Sequence, residues 1–304
     1  MKVEICKPLK LTPDEETKLA MHSFCNVFNV IITQLMLLQE VLHRKDSLNT
    51  SISLCWKILS TFSDAELAMA SARNMNLYKD MILRDVNEAL EGIEVEPSLK
   101  HIVDNSAENL RSIFEICDVR VKEFMARMDD SGDWKIFSTE YIADNLRQVL
   151  DVIAHNSQGR YGIVYRSDRQ GTNDYLVTID IRSVDGSTIT FPAVFQDIFR
   201  DIVANARKYT LPGGKISASL IDDGKEISLI VSDTGRGIPA DEIEKVVEFG
   251  TRGTNTSENE TKGGGFGLTK AYYNCIKYGG RMWIDSEPNA GTTITIKIPR
   301  FGNK

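Results

Sequence analysis

The sequence predicts an α+β protein: an N-terminal antiparallel helical bundle over residues 1–130, then a mixed α/β sandwich over 134–304. Three observations predict it. No glycine occurs between Met1 and Gly92, and apolar residues recur there at helical steps. Beyond residue 134 glycine becomes frequent, and short alternating apolar runs replace the helical stripe. Between the two patterns lies "MDDSGDW", residues 128–134, which reads as a linker.

The first helix starts at "LTPDEE". Thr12 caps it, Pro13 takes the first helical position, and Asp14, Glu15 and Glu16 favour the positive end of the dipole. Glu15, three residues after Thr12, completes a capping box. The helix is expected to run to about Arg44, where "HRKDSLNTS" breaks it. Further helices follow over about Ser51–Phe62 and Asp64–Leu90, before "EGIEVEPS" interrupts. The last begins near Pro97 and carries Leu99, Val103, Leu110, Phe114, Cys117, Val121, Phe124 and Met128 as one stripe.

In the second half, "YGIVYRS", "DYLVTIDIR", "KISASLID", "EISLIVSD", "RMWIDSE" and "TTITIKIP" read as strands, mostly joined as hairpins. Helical patterns lie between them at about 138–155, 192–209, 240–248 and 266–279.

Composition narrows the function. A hydrophobic share of 42% and a charged share of 26% are those of a globular protein. The net charge of −7 argues against a nucleic-acid binder, which would carry a basic face. It leaves room for a nucleotide, which needs only a few local donors. Five scattered cysteines without a C-x-x-C pair read as buried reduced thiols. "MKVEICKPLK" lacks the apolar core of a signal peptide, and no run of about eighteen apolar residues is evident. The expectation is a cytoplasmic chain with no membrane insertion of its own.

Three segments carry chemistry. "KGGGFGLTKAYYNCIKYGG", Lys262–Gly280, fits neither common glycine motif. Leu268 stands where a dinucleotide fingerprint needs its last glycine, and the Gly-Lys-Ser/Thr of a P-loop is absent. What remains is a long polar loop, "GTRGTNTSENETKGGG", feeding a helix near Phe266 whose bare N–H groups suit an anion. "DTGRGIP", Asp233–Pro239, follows the apolar strand "EISLIV". A carboxylate at a strand end suits an exocyclic amino group, and Gly235 and Gly237 leave room for a flat base. In "FRDIVANARKYT", Asp201, Asn205 and Lys208 fall at i, i+4 and i+7 on one helical stripe. Carboxylate, amide and ammonium together suit a water, a Mg²⁺ ion and a phosphate. Taken singly, each segment also fits a plain structural role: a flexible connection, an Asx turn, a solvated helix face.

In this order and within one domain, the three resemble the N, G1 and G2 boxes of the GHKL ATPase/kinase family, whose members include bacterial sensor histidine kinases. "EFGTRGT" is similar to the F-box region, and "AGTTITIKIP" to the terminal strand. The resemblance covers about residues 134–304 and implies a GHKL (Bergerat) α/β sandwich that binds ATP and Mg²⁺. It implies that Asn205 ligates Mg²⁺, that Lys208 and Tyr209 touch phosphates, and that Asp233 takes the adenine amino group. Gly235 and Gly237 would line the base, and Gly263, Gly265 and Gly267 would wrap the triphosphate. Gly291 and Thr293 would close on adenine. Family kinases carry Glu where Asp201 stands. The carboxylate is kept, one methylene shorter, and still suits a catalytic role on water or metal.

The first helix offers a phosphoacceptor. Lys18, His22, Asn26, Asn29 and Thr33 form one polar stripe on a helix otherwise apolar nearly all round. A structural histidine bonded to a neighbouring helix is the plain reading. Yet "HSFCNVFNVI" resembles H-box variants reading H-D-x-x-N-x-L-x-V-I, and neutral imidazole is a good nucleophile near neutral pH. The acid that normally follows the histidine is replaced by Ser23. The resemblance implies a histidine kinase that phosphorylates His22 and passes the group to an aspartate of a response-regulator receiver domain. It also implies a homodimer through the first and last helices. Two alternatives stay open. One is a GHKL Ser/Thr kinase of the mitochondrial type, toward which Ser23 and the long helical region lean. The other is a non-catalytic ATP-binding scaffold.

Overall fold

Thr12 caps the first helix in the way its sequence predicts. The Glu15 N–H donates to Thr12 Oγ1 over 3.3 Å, and the Thr12 N–H donates to the Glu15 carboxylate over 2.8 Å. The structure, a computed structural model, describes residues 2–43, 46–92, 96–128, 134–155, 157, 159–251, 253 and 265–300. It divides into a helical unit, Leu11–Asp129, and an α/β unit made of Met1–Lys10 and Asp130–Lys304.

In the helical unit, α1 (Pro13–Val41) is followed by α2 (Asn49–Thr61). α1 ends a turn earlier than expected: Leu42 caps it, and His43 then turns to φ +52. The single helix expected over 64–90 is two, α3 (Ala65–Arg73) and α4 (Met75–Leu90), divided at Asn74. The Asp64 carboxylate caps α3 by accepting the Leu67 N–H over 2.9 Å. Asn74 Nδ2 donates to the Ala70 carbonyl over 2.8 Å, which ties off the end of α3. α5 runs from Pro97 to Met128.

Aromatic packing holds this unit together. Phe24 lies 5.7 Å, centroid to centroid, from both Phe62 and Phe124, and Phe28 lies 5.8 Å from Phe62. Leu110, Phe114 and Cys117 of α5 are buried in the same core. α1 and α5 pack on each other within one chain. Val30, Met36 and Leu37 of α1 stay exposed on the outside of this packing. Phe24–Val41 is long and apolar enough to cross a bilayer by composition. Its Phe24, Phe28, Ile31, Ile32, Leu35 and Leu38 are buried in the bundle, as in any core helix.

The α/β unit opens with an element the sequence did not advertise, β1 (Lys2–Glu4). The unit then continues with β2 (Trp134–Ser138), α6 (Thr139–His155), β3 (Ile163–Val164), β4 (Tyr175–Arg182) and β5 (Thr188–Pro192). After these come α7 (Val194–Tyr209), β6 (Lys215–Asp222), β7 (Glu226–Asp233), α8 (Gly267–Lys277), β8 (Arg281–Glu287) and β9 (Gly291–Pro299). A seven-stranded sheet has the order β1-β8-β9-β7-β6-β4-β3, and β2 pairs with β5 in a small second sheet. β6–β7 and β8–β9 are antiparallel hairpins as expected, whereas β3–β4 and β4–β6 pair in parallel.

Residues 1–10 thus belong with the α/β unit, not with a helical unit that starts at residue 1. β1 pairs with β8, Ile5 is buried in the α/β core, and the Tyr272 hydroxyl reaches the Ile5 and Lys7 carbonyls at 3.0 and 2.7 Å. The helical unit is an insertion between β1 and β2. The helix expected over 240–248 is instead a run of turns, with the Glu242 N–H bonded to Pro239 O and the Glu248 N–H to Lys245 O. Its apolar Ile243, Val246 and Val247 point into the core, which is the pattern that imitated a helix.

Strand alternation and helix periodicity explain one shared core. Ile216, Ala218 and Leu220 of β6, Ile227, Leu229 and Val231 of β7, and Ile294, Ile296 and Ile298 of β9 face one side. Phe195, Ile198, Phe199, Ile202, Val203 and Ala206 of α7 meet them.

Phe24→Ala is expected to destabilise the helical unit by about 3–5 kcal/mol, since it empties a ring-sized volume in a close-packed core. Urea denaturation followed by helical circular dichroism checks it. A loss of less than about 1 kcal/mol would contradict this packing.

Candidate functional site

α7 lies on the sheet with its polar stripe half-buried along one edge, and the other two motifs meet it there. At its C-terminal end, the Arg236 N–H donates to the Tyr209 carbonyl over 3.1 Å. A Cβ on Gly235 would stand 2.4 Å from that same carbonyl. One turn earlier is Asn205, whose Nδ2 lies 2.9 Å from where a Gly267 Cβ would be. One more turn back, the Asp201 carboxylate meets the Lys270 ammonium of α8 at 3.1 Å. Asp201, Asn205, Tyr209, Asp233, Gly235 and Gly267 are thus brought to one edge of α7.

Asp233 ends β7 with its side chain on the helix-facing side of the sheet, because it alternates in phase with the buried Val231 and Leu229. Its carboxylate accepts the Gly235 N–H over 2.8 Å and is also bonded by the Thr292 backbone. Burial pushes its pKa up to about 6, and those two N–H groups hold back part of the rise. A desolvated carboxylate with a fixed orientation is a strong acceptor for an amino group.

The G1 turn is stitched to the β8–β9 hairpin. The Ile238 N–H donates to Ser286 Oγ over 2.8 Å, and the Asn289 N–H donates to Arg236 O over 2.8 Å. Gly237 has φ +69, and a Cβ there would lie 2.0 Å from the Glu287 carbonyl. The resemblance assigned Gly235 and Gly237 to the base. The structure gives each a packing reason of its own, since the Cβ direction of both is filled by protein backbone.

Thr293 needs correcting. Thr293 lies across from Ser232 and bonds its hydroxyl at 2.8 Å, whereas Thr292 lies across from Asp233. Opposed residues on paired strands share a face. Thr292, not Thr293, shares the face of Asp233. The offset of one residue is invisible until the register is known.

Lys208 and Tyr209 are together at the end of α7, with Lys208 Nζ 5.0 Å from the Tyr209 ring centre and the Arg236 guanidinium 5.9 Å from it. Gly265, at φ +74, packs near the Thr251 carbonyl. Gly263 lies outside the described residues. His22 is in the other unit, half-buried on α1, with its Nε2 3.1 Å from the Asn26 amide nitrogen.

The sequence reading missed Lys270, Thr292, Ser286 and Arg236. Lys270 had a signal: a lysine between Thr269 and Ala271 on the apolar side of an amphipathic helix. It is 2% exposed. Asp197 Oδ2 lies 3.3 Å from its Nζ, and Arg200 pairs with Asp197 and reaches Asn145 Oδ1 of α6 at 3.0 Å.

A helix N-terminus, a half-buried carboxylate at a strand end and the amide-bearing α7 thus come together on a mixed sheet. Residues 192–301 match the family described as "Histidine kinase-, DNA gyrase B-, and HSP90-like ATPase". The adaptive-response sensory kinase SasA of Parasynechococcus marenigrum is 32% identical over 115 residues, 36% of this chain and 30% of that protein. The sensor histidine kinase WalK of Bacillus subtilis is 35% identical over 104 residues, 34% of this chain and 17% of that protein. The chain therefore spans less than a third of the length of either relative. Among solved structures, the mycobacterial sensor histidine kinase MprB is similar over 54% of this chain and 97% of its own, with a TM-score of 0.40 and 19% identity. The catalytic domain of histidine kinase ThkA covers 56% of this chain and 99% of its own, with a TM-score of 0.39 and 18% identity.

Three outcomes are expected. Protonated Asp233 cannot accept an amino proton at both oxygens, so affinity for an ATP analogue should fall about tenfold between about pH 7 and about pH 5. Fluorescence titration across that range checks it. In the empty protein the sign is opposite. The folded-state pKa of about 6 exceeds the ordinary 3.8, so stability falls as pH rises between these values. Asp233→Asn should remove that fall. Separately, Gly267→Ala pushes a Cβ onto the Asn205 amide and should weaken analogue binding about tenfold or more with the circular dichroism unchanged.

Proposed function

We propose that the chain is an ATP-dependent protein histidine kinase that phosphorylates His22 and hands the phosphoryl group to an aspartate of a response-regulator receiver domain. The convergence of Asn205, Asp233 and Gly267 on one edge of α7 carries the reading. The names of the relatives, all sensory or sensor kinases, support it.

Each residue then has a task. Asp233 accepts the exocyclic amino group of adenine. The N-terminus of α8 and Lys208 face the phosphates, where bare N–H groups and an ammonium offset their charge. The Asn205 amide oxygen suits Mg²⁺, a hard cation that prefers oxygen. Among the described residues no cluster of three acidic, histidine or cysteine side chains could cage a metal. The residues fit an ion shared with the phosphates, and Mg²⁺ when bound supplies charge neutralisation at the transferring group.

His22 is the nucleophile. The Asn26 amide donates to its Nε2, which leaves Nε2 unprotonated and the ring proton on Nδ1. For attack that bond opens, an N–P bond forms at Nε2, and the bond from the γ-phosphorus to the bridging oxygen breaks, so that ADP leaves with the electron pair. The carboxylate of the receiver aspartate then takes the phosphoryl group and frees the imidazole. A second reading, transfer to a serine of another protein, draws on Ser23 in place of the usual acid and on the long helical region.

Incubation of the purified chain with γ-labelled ATP separates the two. Label on His22 is lost in acid and survives alkali, and His22→Ala abolishes it. Acid-stable label that persists in His22→Ala would favour the serine reading, and retained nucleotide binding with no label would favour a scaffold.

A further inference from the structure

The acidic stripe of α7 carries its own counter-ion. Lys270 is 2% exposed, and its ammonium lies 3.1 Å from Asp201 and 3.3 Å from Asp197. The Asp201 side chain keeps 19% of its surface, one turn from Asn205 on the same helix. Lys270 stands one turn beyond Gly267, the residue against which the Asn205 amide rests. Two successive turns of α7 therefore face two successive turns of α8, and the second contact is an ion pair.

We propose that Lys270 is a positioning residue that holds the Asp201 carboxylate against α8 and takes it out of service as a metal ligand, so that Asn205 is the metal ligand the α7 stripe offers. This rests on the ATP-site reading above. The argument is one of competing cations. Asp201 Oδ2 is engaged by a buried ammonium that also pairs with the desolvated Asp197 carboxylate and cannot leave without abandoning it. A carboxylate so held is neutralised where it stands. Arg200 braces Asp197 from the other side and reaches Asn145 on α6, so Lys270 cannot shift toward Asp197 alone.

Titration of Mg²⁺ into the chain with a fluorescent ATP analogue tests this in four proteins: wild type, Asp201→Asn, Lys270→Met and the double variant. The readout is the half-saturating Mg²⁺ concentration, with thermal unfolding as the check on folding. Asp201→Asn is expected to leave half-saturation within about twofold of wild type, because Asp201 is not a ligand. Lys270→Met removes the competing ammonium from Asp201 and is expected to lower half-saturating Mg²⁺ about fivefold or more. The double variant returns to the wild-type value, and Lys270→Arg, which keeps a cation there, stays near it. A merely structural lysine would weaken folding without moving the Mg²⁺ curve in a way that Asp201→Asn cancels. A fivefold rise in half-saturating Mg²⁺ in Asp201→Asn alone overturns the proposal, even if Lys270→Met fails to fold, and so does a folded Lys270→Met with the wild-type curve. Wild-type protein that binds no analogue at any Mg²⁺ overturns the ATP-site reading itself, and the proposal with it.

Discussion

An ammonium enclosed by two carboxylates organises the helix layer of the α/β unit. Lys270, Asp197, Arg200 and Asp201 contribute two positive and two negative charges, so the buried set is neutral. Charges withdrawn from water are tolerated only when paired in this way, and removal of one member leaves a lone charge at a penalty of about 3–5 kcal/mol. Asn145 extends the set to α6. Three helices are thereby tied by polar contacts that specify geometry, whereas the apolar faces beneath them specify only that they be covered.

At the other end of the site the constraint is backbone against backbone. Gly237 and Gly291 both have positive φ and bring the G1 turn against the β8–β9 hairpin, closer than any side chain would permit. Ser286 joins the two through Ile238, Gly291 and Thr292. The carboxylate of Asp233 is oriented beside this contact by the Gly235 N–H. Partial burial raises its pKa, and the Gly235 and Thr292 N–H groups that orient it hold back part of the rise.

The helical unit contributes different physics. Its core of phenylalanines is complete within one chain, and its inserted position attaches it to the α/β unit at both of its ends. The family match covers residues 192–301. The role of the helical unit therefore stands on its own chemistry: a half-buried imidazole whose Nε2 accepts from Asn26 on a polar stripe.

Local signals were legible in the sequence because their physics is local. The Thr12–Glu15 box, the stripe of α5, the hairpins β6–β7 and β8–β9, and the carboxylate–glycine order of the three motifs each depend on neighbours a few residues away. Features set by partners far along the chain were not legible. β1 exists because β8 offers it an edge, 240–248 imitates a helix because its apolar residues face a core at nearly helical spacing, and Thr292 takes the place of Thr293 because of inter-strand register. Lys270 is the sharpest case: its ammonium is worth nothing until the fold brings two aspartates, 69 and 73 residues away, within hydrogen-bond reach. Sequence by itself determined which groups the site has, since motif chemistry is a matter of residue type and spacing. Tertiary structure alone decided which of them are at liberty to act, because that depends on which charges share a desolvated volume.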